Sequence, residues 1–182
     1  MSEVIHITVD ADGIATLLFD RSDSNMNTMD TKFMAEIEAA IERLATDDAI
    51  KGAIFTSGKP VFAAGADLKE MEAGLDKADD MPLAERLRMN ASLSRVLRRM
   101  ETCGKPVACA INGTALGGGL EVAMACHLII ADEEATFGLP EVRVGLVAAA
   151  GGLVRLPRLV PEALARDMIL TGRRLTAAEL AP

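Results

Sequence analysis

Glu121, in Gly117-Gly118-Gly119-Leu120-Glu121, and Glu141, in Gly138-Leu139-Pro140-Glu141, are carboxylates set in apolar, glycine-rich surroundings. Such a carboxylate either finds a partner or has its pKa raised, and a raised carboxylate can donate or accept a proton near neutral pH. Glycine leaves backbone N–H groups unobstructed, and donors of that kind stabilise a developing oxyanion. Residues 116–121 lie between a strand and a helix start, where the helix N-terminus adds positive potential. Ala63-Ala64-Gly65-Ala66-Asp67-Leu68-Lys69 repeats this logic and offers a second N–H. Two acids and two bare turns point to an enzyme that moves protons beside a stabilised oxyanion.

The elements that must position these groups follow from periodicity. Residues 4–9 and 14–19 predict two strands joined by the hairpin turn Asp10-Ala11-Asp12-Gly13. Residues 30–45 put Phe33, Ile37, Ile41 and Leu44 on one helical face, opposite Glu36, Glu38 and Arg43. Ala53-Ile54-Phe55-Thr56 predicts a short buried strand closed by Ser57-Gly58-Lys59-Pro60. Residues 71–81 are charged and poor in large apolar groups, which predicts a mobile loop or frayed helix. Pro82 then opens a long amphipathic helix to about Cys103, with Leu83, Leu87, Leu93, Leu97 and Met100 toward the core. Further on, 107–111 and 128–131 predict strands, 113–119 a turn, 121–127 a helix, and 160–172 a last helix. Strands alternating with helices predict an α/β layered fold. Thr176 and Glu179 form a capping-box pattern, yet a helix of one turn is not stable alone. One domain over residues 1–182, truncated at its C-terminus, is expected.

Composition narrows the functional classes. The 182 residues are half hydrophobic with no Trp or Tyr and five Phe, so the core must be mainly aliphatic. A formal net charge of −8 disfavours nucleic acid, which demands clustered Lys and Arg. Cys103, Cys109 and Cys126 form no CxxC pair and read as reduced, buried, cytosolic thiols. His6 and His127 lack a helical partner at i+4, so neither a metal site nor a His-based nucleophile is expected. Met1-Ser2-Glu3-Val4 is unlike a targeting segment, and the uncharged stretches near 107–120 and 144–154 fall short of the ~20 apolar residues of a spanning helix. A cytoplasmic protein without membrane contact is the expectation.

Three familiar glycine motifs drop out. Gly52…Gly58-Lys59 has the wrong spacing for a P-loop and is followed by Pro60; residues 117–119 lack the dinucleotide GxGxxG pattern; no GxSxG elbow occurs. Each remaining piece has a plain alternative: a flexible turn with a surface glutamate at Glu121, a helix cap at Asp67, a first-turn glutamate after Pro140. The combination is far less expected by chance than any one piece.

Gly65-Ala66-Asp67, residues 112–121 (Asn-Gly-Thr-Ala-Leu-Gly-Gly-Gly-Leu-Glu) and Gly138-Leu139-Pro140-Glu141 resemble the crotonase (enoyl-CoA hydratase/isomerase) superfamily. Asn25-Met26-Asn27 and Arg155-Leu156-Pro157-Arg158 extend the resemblance over nearly the whole chain. Thr56-Ser57-Gly58-Lys59 and Glu101-Thr102-Cys103-Gly104-Lys105-Pro106 look most like the hydratase portion of multifunctional fatty-acid oxidation α-subunits.

The resemblance implies a crotonase-like spiral of ββα units without its C-terminal helical part, and an acyl-CoA thioester as substrate. Coenzyme A would then be part of the substrate, with no separate cofactor and no metal. By the same resemblance, Ala66 and Gly118 supply the oxyanion hole, Glu121 and Glu141 hold and activate water for hydration of a 2-enoyl-CoA, and Ala64, Asp67, Leu68, Lys69 and Gly117 contact substrate, Lys69 near the CoA phosphates. A homo-oligomer, commonly a trimer, or a place in a larger oxidation complex is implied. Isomerase members usually keep only the later glutamate, so two favour hydration; isomerase or other enolate chemistry and a non-catalytic CoA-binding or assembly module are the alternatives. Residues 147–155 depart from the family pattern, with Leu153 and Val154 where Thr and Gln are usual. That exchange bears on acyl-chain preference and on the position of Glu141.

Overall fold

The computed structural model describes residues 3–78 and 81–180. In chain order its strands are β1 (Ile5–Val9), β2 (Ile14–Phe19), β3 (Gly52–Ser57), β4 (Val107–Ile111), β5 (Ala115–Leu116), β6 (Leu128–Ala131), β7 (Thr136–Gly138) and β8 (Arg174–Thr176). The helices are α1 (Thr31–Thr46), α2 (Leu68–Ala78), α3 (Leu83–Asn90), α4 (Ser92–Glu101), α5 (Gly118–Met124), α6 (Gly152–Leu159), α7 (Glu162–Thr171) and α8 (Ala177–Leu180). A 3₁₀ turn spans Pro140–Val144.

The main sheet runs β1-β2-β3-β4-β6, antiparallel at β1–β2 and parallel elsewhere. Asp10 closes the hairpin by accepting from the N–H groups of Asp12 (3.0 Å) and Ile14 (2.8 Å). Parallel neighbours require crossovers, and α1, the α2–α4 run and α5 supply them. A smaller sheet, β5-β7-β8, stands beside the first. The helical face expected on α1 is present, with Phe33, Ile37, Ile41 and Leu44 buried. Phe19, Phe33, Phe55 and Phe62 form a chain of ring contacts, the first pair 4.7 Å apart, inside a core that apart from them and Phe137 is aliphatic. No described helix is long and apolar enough to cross a membrane.

Five expectations are corrected or sharpened. The segment read as a loop or frayed helix is the 11-residue helix α2, because Asp67 accepts from the N–H groups of Lys69 and Glu70 and Glu70 in turn accepts from Thr31 N–H at 3.0 Å; positions 79 and 80 lie outside the described residues. The single long helix after Pro82 is two, α3 and α4, separated at Ala91. Leu83 and Leu87 are 62% and 59% exposed, so the core-facing stripe starts with the partly buried Leu93 and continues through Val96, Leu97 and Met100. The 113–119 turn holds β5, and its helix begins at Gly118 rather than Glu121. The one-turn helix α8 forms because its capping box is joined by tertiary contacts: Thr176 and Glu179 bond reciprocally, Ala177 N–H donates to Ala135 O at 3.0 Å, and Leu180 packs on the core.

The site is positioned where residues 63–66 run beside β5. Ala63 bridges Ala115 and Ala66 bridges Met29. Ala63 N–H donates to Thr114 O at 3.2 Å and Leu116 N–H donates to Ala63 O at 2.9 Å. A Cβ on Gly119 would stand 2.4 Å from the Ala63 Cβ, so α5 can leave β5 at this angle only without a side chain there. Gly119→Ala should therefore lower stability by about 1–3 kcal/mol through overpacking. Urea unfolding of Gly119→Ala, Ala63→Gly and the double variant should give strongly non-additive losses; simple additivity would mean that the two positions do not collide.

Candidate active site

Two backbone turns meet at the mouth of this packing. Gly65 has φ +90° and Gly117 φ +52°, conformations open to glycine. A Cβ on Gly65 would lie 3.1 Å from Leu116 O and 3.7 Å from the Gly117 Cα, so the turns lie against each other. Met29 N–H donates to Gly65 O, Asp67 N–H to Met29 O, and Ala64 N–H to Asn27 O, all within 3.0 Å. Asn27, fully buried, is itself fixed by donating to Phe19 O (2.6 Å) and Ser57 Oγ (2.9 Å). With those bonds made, the N–H groups of Ala66 and Gly118 meet no acceptor among the described residues. Both residues line one cleft of about 440 Å³.

Glu121 sits one turn into α5 and is 3% exposed. Its Oε1 accepts from Gly152 N–H at 2.8 Å, at the first turn of α6. Burial pushes its pKa up to about 7, the negative charge of Glu141 adds to the rise, and the Gly152 and Ala150 N–H groups and Arg155 oppose it. Glu141 stands on the 3₁₀ turn after Pro140. A Cβ on Gly117 would be 3.1 Å from Glu141 Oε1, so the bare glycine gives this carboxylate its place. Burial raises Glu141 too, and its buried Oε2 meets no donor among the described residues. A buried polar atom without a partner is rare and marks a group whose partner comes from elsewhere. Two raised carboxylates on one cleft can divide into one acid and one base near neutral pH.

Of the residues singled out from the sequence, Ala64, Ala66, Leu68, Gly117, Gly118, Glu121 and Glu141 share this cleft. Asp67 and Lys69 are not on its lining: Asp67 caps α2 and faces a neighbouring cavity, and Lys69 is exposed. The departure over residues 147–155 reaches Glu121 as well as Glu141, since Gly152 bonds Glu121 while Val147 and Ala148 flank Glu141. Leu153 and Val154 are exposed at the start of α6. Sequence reasoning missed the Gly152 contact, for which the only signal was the Gly151-Gly152 pair, and missed Asn90, Leu93 and Arg143 on the cleft wall.

A family model described as enoyl-CoA hydratase/isomerase matches residues 10–182. The fatty acid oxidation complex subunit alpha of Idiomarina loihiensis is 42% identical over 171 residues, covering 92% of this chain and 23% of that protein. That of Shewanella halifaxensis is 38% identical over 178 residues, covering 96% and 24%. The chain thus spans about a quarter of the length of the curated relatives it matches. Among solved structures, enoyl-CoA hydratase from Bacillus anthracis superposes with a TM-score of 0.84 at 30% identity, over 97% of this chain and 66% of that one. Pseudomonas aeruginosa DspI gives 0.84 at 32% identity, over 98% and 69%.

The raised Glu121 sets a pH dependence of stability. An exposed glutamate releases its proton near 4.5 and the buried Glu121 only near 7, so the folded state holds a proton that the unfolded state has lost. Stability supplied by this group is complete below the lower value and is lost as pH rises through the upper one. Glu121→Gln should flatten that fall and be more stable than the parent at about pH 8, by on the order of 3 kcal/mol. Urea unfolding at mildly acidic and mildly alkaline pH measures this; parallel curves for the two proteins would contradict it.

Proposed function

The chain belongs to the enoyl-CoA hydratase/isomerase family, and on that premise we propose that it adds water across the 2,3 double bond of a 2-enoyl-CoA. The observation that carries the reading is the pair of buried, raised carboxylates facing one cleft beside two backbone N–H groups that meet no acceptor among the described residues. In this reading the thioester oxygen accepts from Ala66 and Gly118 N–H, and a water lies between Glu121 and Glu141.

The surroundings of the two acids support a division of roles. Glu121 receives the Gly152 N–H and feels the charge of Arg155, both of which favour its ionised form. Without substrate, burial and the charge of Glu141 leave the shared proton on Glu121; in the reading proposed here, water donating to Glu121 moves it to Glu141, whose buried Oε2 meets no donor among the described residues. Glu121 then takes a proton from water as the water oxygen bonds to C3. The π electrons move toward C2 and onto the thioester oxygen, where the two N–H groups stabilise the enolate. Glu141 gives its proton to C2, and the net change is one water added. Coenzyme A enters and leaves as part of the substrate.

The relatives named for a fatty acid oxidation complex support a role in fatty-acid oxidation as part of a larger complex; a cytoplasmic location, and a homo-oligomer such as a trimer as the other assembly, are proposed with it. Glu121→Gln and Glu141→Gln should each lower kcat for a short 2-enoyl-CoA by about 10²–10⁴-fold with little change in KM. Loss of the enoyl-thioester absorbance measures the rate. A near-parental kcat in either variant would remove that residue from proton transfer, and conversion of 3-enoyl-CoA without hydration of 2-enoyl-CoA would identify an isomerase.

A further inference from the structure

We propose that Arg155 is a positioning residue for the chemistry at Glu121, its guanidinium bracing the turn at residues 150–152 whose backbone N–H orients that carboxylate. The inference rests on the reading of Glu121 given above. Arg155 lies in the first turn of α6, with its N–H donating to Gly151 O at 2.8 Å. Its side chain folds back rather than outward. Nη1 donates to Ala150 O at 3.0 Å, and Nε donates to Glu101 Oε1 at 2.7 Å.

Gly151 makes this possible. Its φ is +124°, and a Cβ there would stand 1.7 Å from Arg155 Nη1, so the guanidinium occupies the space a side chain would take. The next residue, Gly152, donates its N–H to Glu121 Oε1 at 2.8 Å. The carbonyl that Arg155 holds is therefore two residues before the N–H that fixes the carboxylate. The brace is anchored at its far end as well. Glu101, the last residue of α4, accepts from Arg98 Nη1 at 3.2 Å, and its backbone oxygen lies 3.2 Å from His127 Nε2, just beyond α5. Val107 N–H donates to the other ring nitrogen of that histidine at 3.1 Å.

The charged and titratable groups that the contacts bring to the guanidinium are thus Glu101 from α4, with Arg98 on its carboxylate and His127 on its backbone oxygen, and Glu121 on the cleft side. The hydrogen bond from the Arg155 guanidinium holds the Glu101 carboxyl below the usual carboxylate range, so Glu101 stays charged at neutral pH. The same positive charge favours the ionised form of Glu121. One side chain supplies both geometry and field. A two-directional fork suits arginine, and lysine can reproduce the charge without the geometry.

The test compares Arg155→Met, Arg155→Lys and Glu101→Gln with the parent chain. Two readouts are taken: kcat and KM for a short 2-enoyl-CoA across pH, and the Glu121 carboxyl titration by infrared difference spectroscopy with Glu121→Gln as blank. Arg155→Met should lower kcat by about tenfold or more, as small misplacements of catalytic groups do, with KM nearly unchanged. The Glu121 midpoint and the acid limb of kcat should both move to higher pH. Arg155→Lys should return the midpoint toward the parent's and recover only part of kcat, and Glu101→Gln, which keeps the guanidinium charge but frees its anchor, should lower kcat without raising the midpoint. A lower Tm with parental kcat and midpoint in Arg155→Met would overturn the proposal and leave Arg155 merely structural. If Arg155→Met does not fold, Arg155→Lys decides: parental kcat overturns the proposal, and a lowered kcat with the parental midpoint supports it. A parent chain that does not hydrate overturns the functional reading instead, and the midpoint comparison still judges the brace.

Discussion

The site depends on one close approach of backbone to backbone. Residues 63–66 lie against β5 and the start of α5, with Gly65 over Leu116 and Gly119 over Ala63. No side chain fits between them. The approach fixes the exit angle of α5, which carries Glu121 inward, and sets two strand-end turns side by side, where the Ala66 and Gly118 N–H groups meet no acceptor among the described residues. Glycines at these positions are a steric requirement: a methyl group at Gly119 would overlap the Ala63 Cβ.

Electrostatics follow from that geometry. A carboxylate delivered into an aliphatic interior resists ionisation, and only a few oriented dipoles offset the cost. Glu121 has the first turn of α6 aimed at it, while Glu141 has a bare glycine against one oxygen and no donor for the other. The same burial that raises both groups therefore leaves them unequal. Inequality between neighbouring acids allows one to hold a proton while the other takes one.

Much of this was legible in the chain. Strand alternation at β2, the four apolar positions of α1 and the glycine phrases around Ala66, Gly118 and Glu121 give the architecture and the cleft, because local periodicity and glycine content report directly on them. The misses have a common physical origin. The break at Ala91 depends on which leucines find a neighbouring surface, and Leu83 and Leu87 find none. Helix α2 owes its start to the Asp67 cap and its hold to a bond from α1, which composition does not reveal. The Gly152 contact spans 31 positions and uses a backbone N–H, so no side-chain identity announces it.

The central claim is that Glu121 and Glu141 flank one double bond and divide a single water between C3 and C2. Turnover of a short 2-enoyl-CoA in ¹⁸O-labelled D₂O, read by mass spectrometry and proton NMR, tests it directly. The account predicts a 3-hydroxyacyl product with one ¹⁸O on C3 and one deuterium on C2, placed on a single face. Recovery of unhydrated substrate, or deuterium scrambled over both faces of C2, would contradict it.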